Sequence, residues 1–315
     1  MKAAIQLRKD VRTDRRRFAK AYAAPACVSQ TQMESLLIFF VHQIEKGFSF
    51  DEYQFGRGKG ALHNIADLSA RLKMVDTNWR DNPVYKDAVL ALGEYLRRHL
   101  AAEHDVTFMT SLFDAEMLDD IEHASKRDYP SIELSKTDKL DNADVPFREL
   151  IERRHAIRSY SEQPVTREEL EEAITMSLRT PSVCNRQPAR VRIFTDAKQI
   201  SNALKVQGGF GGYTPQSLLL VTADLQAFMG VNERNEGYVD GGLFSMSLLY
   251  ALEARGLAAC PLNTMFSEQV DRKTRDLLDI PDNEVFVMYI AVGHSKETSK
   301  ICRSQRFGLD RILMN

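Results

Sequence analysis

The sequence predicts an α+β fold, a mixed, mainly antiparallel sheet of about four or five strands enclosed by helices, preceded by an all-helical N-terminal domain. Two observations support this prediction. Up to about residue 127, apolar residues recur at helical spacing and no strand-like run interrupts them. Beyond residue 150, short amphipathic segments alternate with apolar runs such as VRIF, SLLLVTAD and VFVMYIAVG, which are typical of strands.

Length and composition indicate a globular chain. The 315 residues suffice for one large or two ordinary domains, 43% of them are hydrophobic, 27% are charged, and the net charge is -2. No apolar run reaches membrane-spanning length. The four cysteines are scattered without a CxxC pair, which indicates neither a disulfide framework nor a zinc site and fits a reducing compartment. We therefore expect no metal site and a cytoplasmic location.

The N-terminal stretch MKAAIQLRKDVRTDRRRFAK is basic and lacks the apolar centre of a secretory signal. Its arginine and lysine run could touch anionic lipid or nucleic acid, or it could form the solvated face of a helix. A solvated face is the commoner role of such a run, and we expect it here. The overall expectation is accordingly that the protein has no nucleic-acid partner and no membrane partner.

Four further N-terminal segments have the apolar periodicity of helices. They span residues 31–47, 62–73, 84–100 and 108–124. Five histidines fall in this region without the spacing of metal ligands. The stretch DYPSIELSKTDKLDNADVP that follows is polar, turn-rich and flanked by proline. These features predict a helical domain at residues 1–127, a linker at 128–146 and a second domain at 147–315.

The strongest chemical signal lies in residues 151–194. Arg153, Arg154 and Arg158 crowd within six residues, and positive charge is costly to gather unless an anion neutralises it. Arginine suits phosphate because its planar fork binds two oxygens at once. The three arginines therefore indicate a phosphate site. The bland alternative is a solvated basic turn, and the residues alone favour neither reading.

A helix and a polar loop follow the arginines. Thr166 is a good N-cap, and Glu169 three positions later completes a capping box. In the loop SVCNRQ, Ser182, Asn185 and Gln187 supply a hydroxyl and two carboxamides, which donate and accept without charge. Such groups suit a heterocycle edge or a ribityl chain. An ordinary helix-to-strand loop is the bland alternative here.

Downstream segments complete the predicted order of elements. Residues 197–206 and 238–255 are expected to be helices, and small residues in the second would let another backbone approach. The glycine-rich QGGFGGYTPQ is either a mobile loop over a site or a plain loop. CPLNTM is interpreted as a turn and DRKTRDLLDIPDNE as an amphipathic helix. LQAFMGVNERNEG has room for one short helical turn at most before Gly230 and the polar run.

These motifs together resemble the nitroreductase family of FMN flavoproteins. The resemblance rests on RRHAIRSY, the PSVCNRQP loop, GYVDGGLFSMSLLYALEARGLAACPLN, LLDIPDNEVFVMYIAVGHSKE and a C-terminal arginine segment, and it covers about residues 146–315. HQIEKGFSF resembles the N-terminal region of a subset of nitroreductase homologues, those with a helical extension. Ala156 departs from the pattern, because the family usually has Ser or Thr there. His155 or a backbone N–H would have to replace that phosphate contact.

The resemblance implies a nitroreductase-like fold and a homodimer with FMN at the subunit interface. NADH or NADPH would reduce the flavin through N5 in a ping-pong sequence, and a nitro compound, quinone or similar organic acceptor would reoxidise it. No side chain is then expected to be catalytic in its own right. The cofactor-binding residues implied are Arg153, Arg154, His155, Arg158, Pro181, Ser182, Asn185, Gln187, Pro261, Leu262, Asn263, Arg303 and Arg306.

Two other classes of function stay open at this point. One is a specialised flavin reaction on the same scaffold, such as dehalogenation, dehydrogenation or flavin fragmentation. The other is a non-catalytic flavin-binding partner protein that has kept the dimer and lost turnover.

Overall fold

The computed structural model describes residues 2–125, 132–211 and 213–314, and these fall into two compact units. The α+β unit combines the residues up to Arg12 with Leu134–Ser299, and the helical unit combines Thr13–Glu133 with the residues from Lys300 onward. The C-terminal arginine segment thus groups with the helices. The predicted domains at 1–127, 128–146 and 147–315 stay predictions about independent folding, and residues 128–131 of the linker lie outside the described part.

The helical unit confirms the N-terminal helices. The helices of this part of the chain are α1 (Lys2–Ala21), α2 (Gln30–Phe48), α3 (Lys59–Val75), α4 (Pro83–Ala101), α5 (Thr107–Thr110) and α6 (Ala115–Ser125). The N-cap side chains of Ser29 and Asn82 accept backbone N–H groups at the starts of α2 and α4, as residues of these types commonly do. Leu37, Leu62 and Leu92 are completely buried and join these helices in one core. Nowhere in the described ranges is a helix long and apolar enough to cross a membrane.

The prediction of one helix over 108–124 was wrong, because the chain forms α5 and α6 with a break between them. Asp114 lies in the break. Its carboxylate accepts the backbone N–H of Met117 at 2.8 Å and pairs with Lys73 at 2.7 Å. A side chain that satisfies the first free N–H groups of a helix starts a new helix rather than continuing an old one.

The α+β unit contains a four-stranded antiparallel sheet in the order β2-β3-β5-β4. Its strands are β2 (Ala189–Phe194), β3 (Ser217–Asp224), β4 (Leu257–Leu262) and β5 (Glu284–His294), while β1 (Ile132–Ser135) and β6 (Thr298–Ile301) form a separate pair. The helices are α7 (Phe147–Arg153), α8 (Arg167–Ser177), α9 (Ala197–Gln207), α10 (Glu236–Ala254) and α11 (Glu268–Leu278). The predicted α+β fold is therefore confirmed, as is the capping box at Thr166 and Glu169.

The core of this unit lies between the sheet and α8 with α10. Leu248 and Leu252 of α10 share one apolar cluster with Leu219 of β3 and Ile290 of β5. Close approach of helix and sheet depends on Gly241, because a Cβ there would lie 2.5 Å from a methyl carbon of Val287. The small residues predicted to permit a close crossing thus serve, at this position, a crossing within the chain.

One local prediction was wrong. CPLN is not a turn, because Cys260 to Leu262 form the end of β4. Proline is compatible with this strand because β4 is an edge strand, where a missing N–H removes no ladder bond if it points outward. Between β3 and α10, one short 3-10 turn at Leu225–Ala227 precedes Gly230, as predicted, and a second at Val231–Glu233 follows it.

Helix packing in the helical unit gives a stability prediction. A Cβ at Gly93 would stand 2.8 Å from the backbone nitrogen of Ser125 and 2.9 Å from the carbonyl carbon of Ala124. Backbone atoms cannot rotate away, so Gly93→Ala is expected to lower the free energy of unfolding by about 1–3 kcal/mol. Gly60→Ala in α3 is the matched control, since nothing lies within 4 Å of its Cβ position.

The control is expected to raise the free energy of unfolding by up to about 1 kcal/mol, because alanine is the better helix former. Urea denaturation followed by circular dichroism measures both variants. Equal effects of the two substitutions would contradict the packing of α4 against the end of α6.

Candidate functional site

The basic segment after α7 lies along the outer edge of β4. The backbone N–H of Ile157 donates to the carbonyl oxygen of Ala259 at 3.1 Å, and Ala156 forms a parallel bridge with Ala259. Ile157 is completely buried, so this pairing is fixed by packing as well as by the hydrogen bond. Two predicted motifs, the arginine segment and the Cys260–Asn263 segment, are therefore neighbours in this unit.

Arg153 binds protein groups. Its guanidinium pairs with Asp141 at 2.5 Å and with Glu149, and it also donates to the side-chain oxygen of Asn142 at 3.0 Å. The hydrogen bond that Arg153 donates to Asp141 is the main reason why the pKa of Arg153 is raised. Its contact with a cofactor phosphate stays a prediction, whereas its contact with the 138–142 segment is part of the structure.

Arg154 differs from Arg153. Its side chain is half-buried, and among the described residues no carboxylate lies within ion-pair distance of it. The charge of Arg154 lowers the pKa values of both Lys139 and His155, after the larger effect of burial, and the carboxylate of Glu253 opposes the shift of each. An uncompensated, partly desolvated guanidinium is suited to bind an anion.

The surroundings of Arg154 complete the anion-binding end. His155 is half-buried and its Nδ1 lies 2.9 Å from the carbonyl oxygen of Arg153, which orients the ring. Arg158 is also half-buried, and it donates to the carbonyl oxygen of Ala156 at 3.4 Å. Lys139 is 5% exposed and pairs with buried Glu253 of α10 at 2.5 Å. Sequence reasoning missed Lys139 and Glu253, because a lysine in a polar linker gave no sign of burial.

The Pro261–Asn263 part of the site adjoins the glycine-rich loop. Pro261 and Leu262 are half-buried at the end of β4, and Asn263 is exposed. The side chain of Gln207, at the end of α9, donates to the carbonyl oxygen of Asn263 at 3.2 Å and accepts the N–H of Gly209 at 2.8 Å. The glycine-rich loop therefore starts beside Asn263. Gly212 of this loop lies outside the described residues. That the loop covers a site stays a hypothesis.

The loop after Pro181 has a strained backbone. Cys184, Asn185 and Gln187 all have positive φ values of 48°, 56° and 50°, which non-glycine residues seldom adopt. The hydroxyl of Ser182 accepts the N–H of Gln187 at 2.9 Å and closes the loop. Strain of this kind persists only where surrounding contacts hold it, and it is concentrated at functional sites.

Two carboxylates hold this loop in place. Buried Asp240 of α10 accepts the N–H of Val183 at 3.1 Å. Glu233 forms two hydrogen bonds with Arg186, at 2.7 and 3.1 Å. These bonds, together with the N–H groups of Met229 and Gly230, lower the pKa of Glu233 to about 2. Sequence analysis passed over Arg186, although its place between Asn185 and Gln187 could have drawn attention to it.

The loop and the arginine segment lie at opposite ends of α10. Asp240 contacts the loop, and Glu253 belongs to the network beside Arg154. These two residues are 13 positions apart in one helix, which corresponds to about 20 Å at a rise of about 1.5 Å per residue. A single chain therefore presents the predicted cofactor contacts as two separate half-sites.

Arg303 and Arg306 belong to the helical unit, apart from the other predicted site residues in the chain's division into units. Burial and the carboxylate of Glu45 raise the pKa of Asp87 to about 6, and the charge of Arg303 opposes this shift. Arg306 donates to the carbonyl oxygen of Ser304 at 2.6 Å. The role of both arginines at a cofactor phosphate stays a prediction. Arg311 is exposed and pairs with buried Glu34.

Comparison with known proteins finds a family match within the α+β unit. The family model described as "Nitroreductase family" matches residues 151–210 and 210–294. A protein from Archaeoglobus fulgidus, provisionally named an NADH dehydrogenase/NAD(P)H nitroreductase, is 24% identical over 167 residues, which are 52% of this chain and 94% of the relative.

Solved structures of similar proteins include two provisionally named nitroreductases. Protein ydfN from Bacillus subtilis has a TM-score of 0.49 and 19% identity, covering 54% of this chain and 98% of its own. A protein from Desulfovibrio desulfuricans in complex with FMN has a TM-score of 0.45 and 22% identity, covering 55% and 97%.

The Arg186–Glu233 pair gives a pH prediction. Because the pKa of Glu233 is lowered from 4.5 to about 2, its ionised form contributes to the stability of the loop above about pH 4.5. That contribution is lost as the pH falls through about 2. Arg186→Gln removes the largest cause of the shift and is expected to return the pKa of Glu233 toward 4.5.

An NMR titration of the Glu233 carboxyl carbon measures the pKa directly. Arg190→Gln is the matched control, because Arg190 pairs with Asp224 at 3.2 Å and not with Glu233. If Arg186→Gln left the Glu233 titration unchanged, the pairing that anchors the loop would be wrong.

Proposed function

Residues 151–294 belong to the nitroreductase family, and we propose that the protein is an FMN-dependent NAD(P)H oxidoreductase that acts as a homodimer. The observation that carries the proposal is Arg154, a half-buried guanidinium without a carboxylate partner in the described chain, two residues before the bridge from Ala156 to β4. Family membership supports the class of cofactor, and this arginine supports the assignment of the cofactor phosphate to its surroundings.

The residues present at this place fit FMN. Arg154 and Arg158 supply positive charge for a dianionic phosphate, and His155 or a backbone N–H replaces the contact that Ala156 lacks. Pro261 and Leu262 form an apolar wall at the end of β4 against which a flat ring can stack. When bound, FMN supplies two-electron hydride chemistry between a nicotinamide donor and an organic acceptor such as a nitro compound or quinone. The chain's own residues bind, orient and shield that group.

The strained loop supplies the polar half of the site. Its exposed Asn185 and Gln187 side chains suit the heterocycle edge and the ribityl chain, and Ser182 adds a hydroxyl. Because this half-site lies about 20 Å along α10 from Arg154, we assign it to the cofactor bound at the other chain's arginines. Each of two equivalent sites then draws residues from both copies.

The exposed face of α10 supports this dimer. Tyr238, Val239 and Leu243 are 53%, 52% and 48% exposed on a helix whose other side is fully packed against the sheet. Exposed apolar residues gathered on one helix face mark an interaction surface. Two copies of α10 crossing antiparallel would bring the Asp240 end of one helix toward the Glu253 end of the other. That arrangement joins the two half-sites.

The first test of the proposed function is the identity and redox activity of the bound flavin. The purified protein is expected to be yellow, to release FMN and no FAD on heating, and to lose its colour when NADH or NADPH is added. Chromatography of the released flavin and absorbance measured without oxygen are the readouts. A colourless protein that takes up no flavin would contradict the proposal, and a yellow protein that neither nucleotide bleaches would favour a non-catalytic flavin-binding protein.

The phosphate assignment predicts the effect of single substitutions. Loss of one charge-assisted contact costs about 1.5–3 kcal/mol, so Arg154→Ala and Arg158→Ala are each expected to weaken FMN binding at least about tenfold. Titration of flavin fluorescence measures the dissociation constant. Arg167→Ala, which removes an exposed arginine paired with Glu171 at 2.7 Å, is the matched control. Unchanged affinity in both site variants would show that the phosphate lies elsewhere.

The shared site predicts complementation between two inactive variants. One is Arg154→Ala with Arg158→Ala, and the other is Asn185→Ala with Gln187→Ala. A mixed dimer of the two has one site with all substitutions and one site with none, so co-expression with two different affinity tags is expected to restore flavin binding to about half the wild-type level. If both half-sites served one cofactor within a chain, the mixed dimer would stay as defective as its parents.

A further inference from the structure

Helix α1 carries a net charge opposite in sign to that of the rest of the chain. Eight lysine and arginine residues and two aspartates lie within Lys2–Ala21, a formal charge of +6 in a chain whose total is -2. All eight basic side chains are exposed, and within the described chain none of the eight is in an ion pair. The remainder of the protein is therefore acidic, and α1 holds a concentrated positive surface.

The exposed side of α1 is also apolar. Leu7, Val11 and Phe18 recur at intervals of four and seven residues, which places them on one stripe of the helix. They are 38%, 52% and 71% exposed, and no residue of α1 is buried. The ring of Phe18 stacks on that of Tyr22, itself 50% exposed, with centroids 5.5 Å apart. Apolar and aromatic surface of this kind is costly to leave in water.

The half-buried residues of α1 lie on one side of the helix. They are Asp10, Thr13 and Asp14, and Asp10 lies 3.9 Å from Arg234. At 100° per residue, Arg8, Arg12 and Arg15 lie on the opposite side, and the apolar stripe lies between the two sides. These three arginines and the apolar stripe are therefore an exposed part of α1.

We propose that α1 binds the surface of an anionic lipid bilayer, with its arginines on the headgroups and Leu7, Val11 and Phe18 among the upper acyl chains. A basic amphipathic helix with aromatic residues beside its charges has the chemistry of an interfacial membrane helix. Nucleic acid would use the arginines but would leave the apolar stripe in water. The α1 helix of a second copy would repel α1, because both carry the same positive charge. The bilayer is the occupant that satisfies both features at once.

The test is sedimentation of the full-length flavin-loaded protein with vesicles. We expect binding to vesicles of phosphatidylcholine with phosphatidylglycerol and none to phosphatidylcholine alone. Arg8→Gln with Arg12→Gln and Arg15→Gln is expected to lower the partition coefficient roughly one hundredfold, because each basic residue near an anionic surface contributes about a factor of five. Phe18→Ser is expected to weaken binding several-fold and to make the remainder more sensitive to salt.

The charge-matched control is Arg167→Gln with Arg190→Gln and Arg272→Gln, three exposed arginines of the α+β unit. It changes the net charge equally and is expected to leave vesicle binding unchanged. Circular dichroism and flavin content confirm that each variant is folded. Absence of binding by the wild type, or an equal loss in the control, overturns the proposal. Tight binding of a DNA or RNA duplex that is unchanged in Phe18→Ser would also overturn it. A dimer in which labels on α1 become protected from solvent would overturn it as well.

Discussion

The packing of α10 on the sheet fixes the distance between the two half-sites of the α+β unit. Gly241 lets the helix approach Val287 closely, and Leu248 and Leu252 bury its central turns against β3 and β5. The helix carries Asp240 near one end, which accepts the N–H of Val183, and Glu253 near the other, which pairs with Lys139 and accepts from Asn142. Because a helix is rigid along its axis, the separation of the half-sites is fixed by the number of residues between them. Dimerisation through the exposed face of the same helix is the simplest way to bring the sets together.

The arginines of the chain show how charge is divided between structure and function. Arg153, Arg186 and Arg192 each bind a carboxylate of the same chain, and their pKa values are raised mainly by those hydrogen bonds. Such arginines hold loops and strands in place, and a carboxylate of the same chain compensates their charge. Arg154 has no such partner among the described residues, and the run on α1 has none either. Sequence alone cannot separate these classes, because both look like basic residues near turns.

Much of the fold could be predicted from the sequence, because it follows from local rules. The periodicity of residues 31–47 and 84–100 gave helices correct to within one residue at each end. The apolar runs of β3 and β5 could only be buried strands. The errors lie where a tertiary contact overrode local preference. Asp114 broke a helix by capping the next one, and the proline in β4 was compatible with a strand only because that strand is at the edge.

The candidate site was predicted less completely, for a related reason. The family resemblance, together with the residue types, predicted ligand contacts by the arginines and the Ser182–Gln187 loop. The residues that hold them belong to distant parts of the chain and form no motif. The backbone N–H of Val183 donates to Asp240, and the guanidinium of Arg186 pairs with Glu233. No periodicity or spacing rule connects such pairs, because their distance in sequence depends on how the elements pack.

The Lys139–Glu253 pair joins α10 to a segment that lies before the family region. Lys139 lies before residue 151, where the match to the nitroreductase family begins, yet its amine is buried against α10 together with Asn142. Burial lowers the pKa of Lys139 and the carboxylate of Glu253 opposes that shift. A buried ion pair contributes little net stability but allows few alternative arrangements. Arg153 binds the same segment through Asp141 and Asn142. The segment before the family region therefore fixes where α7 ends, and with it the position of Arg154.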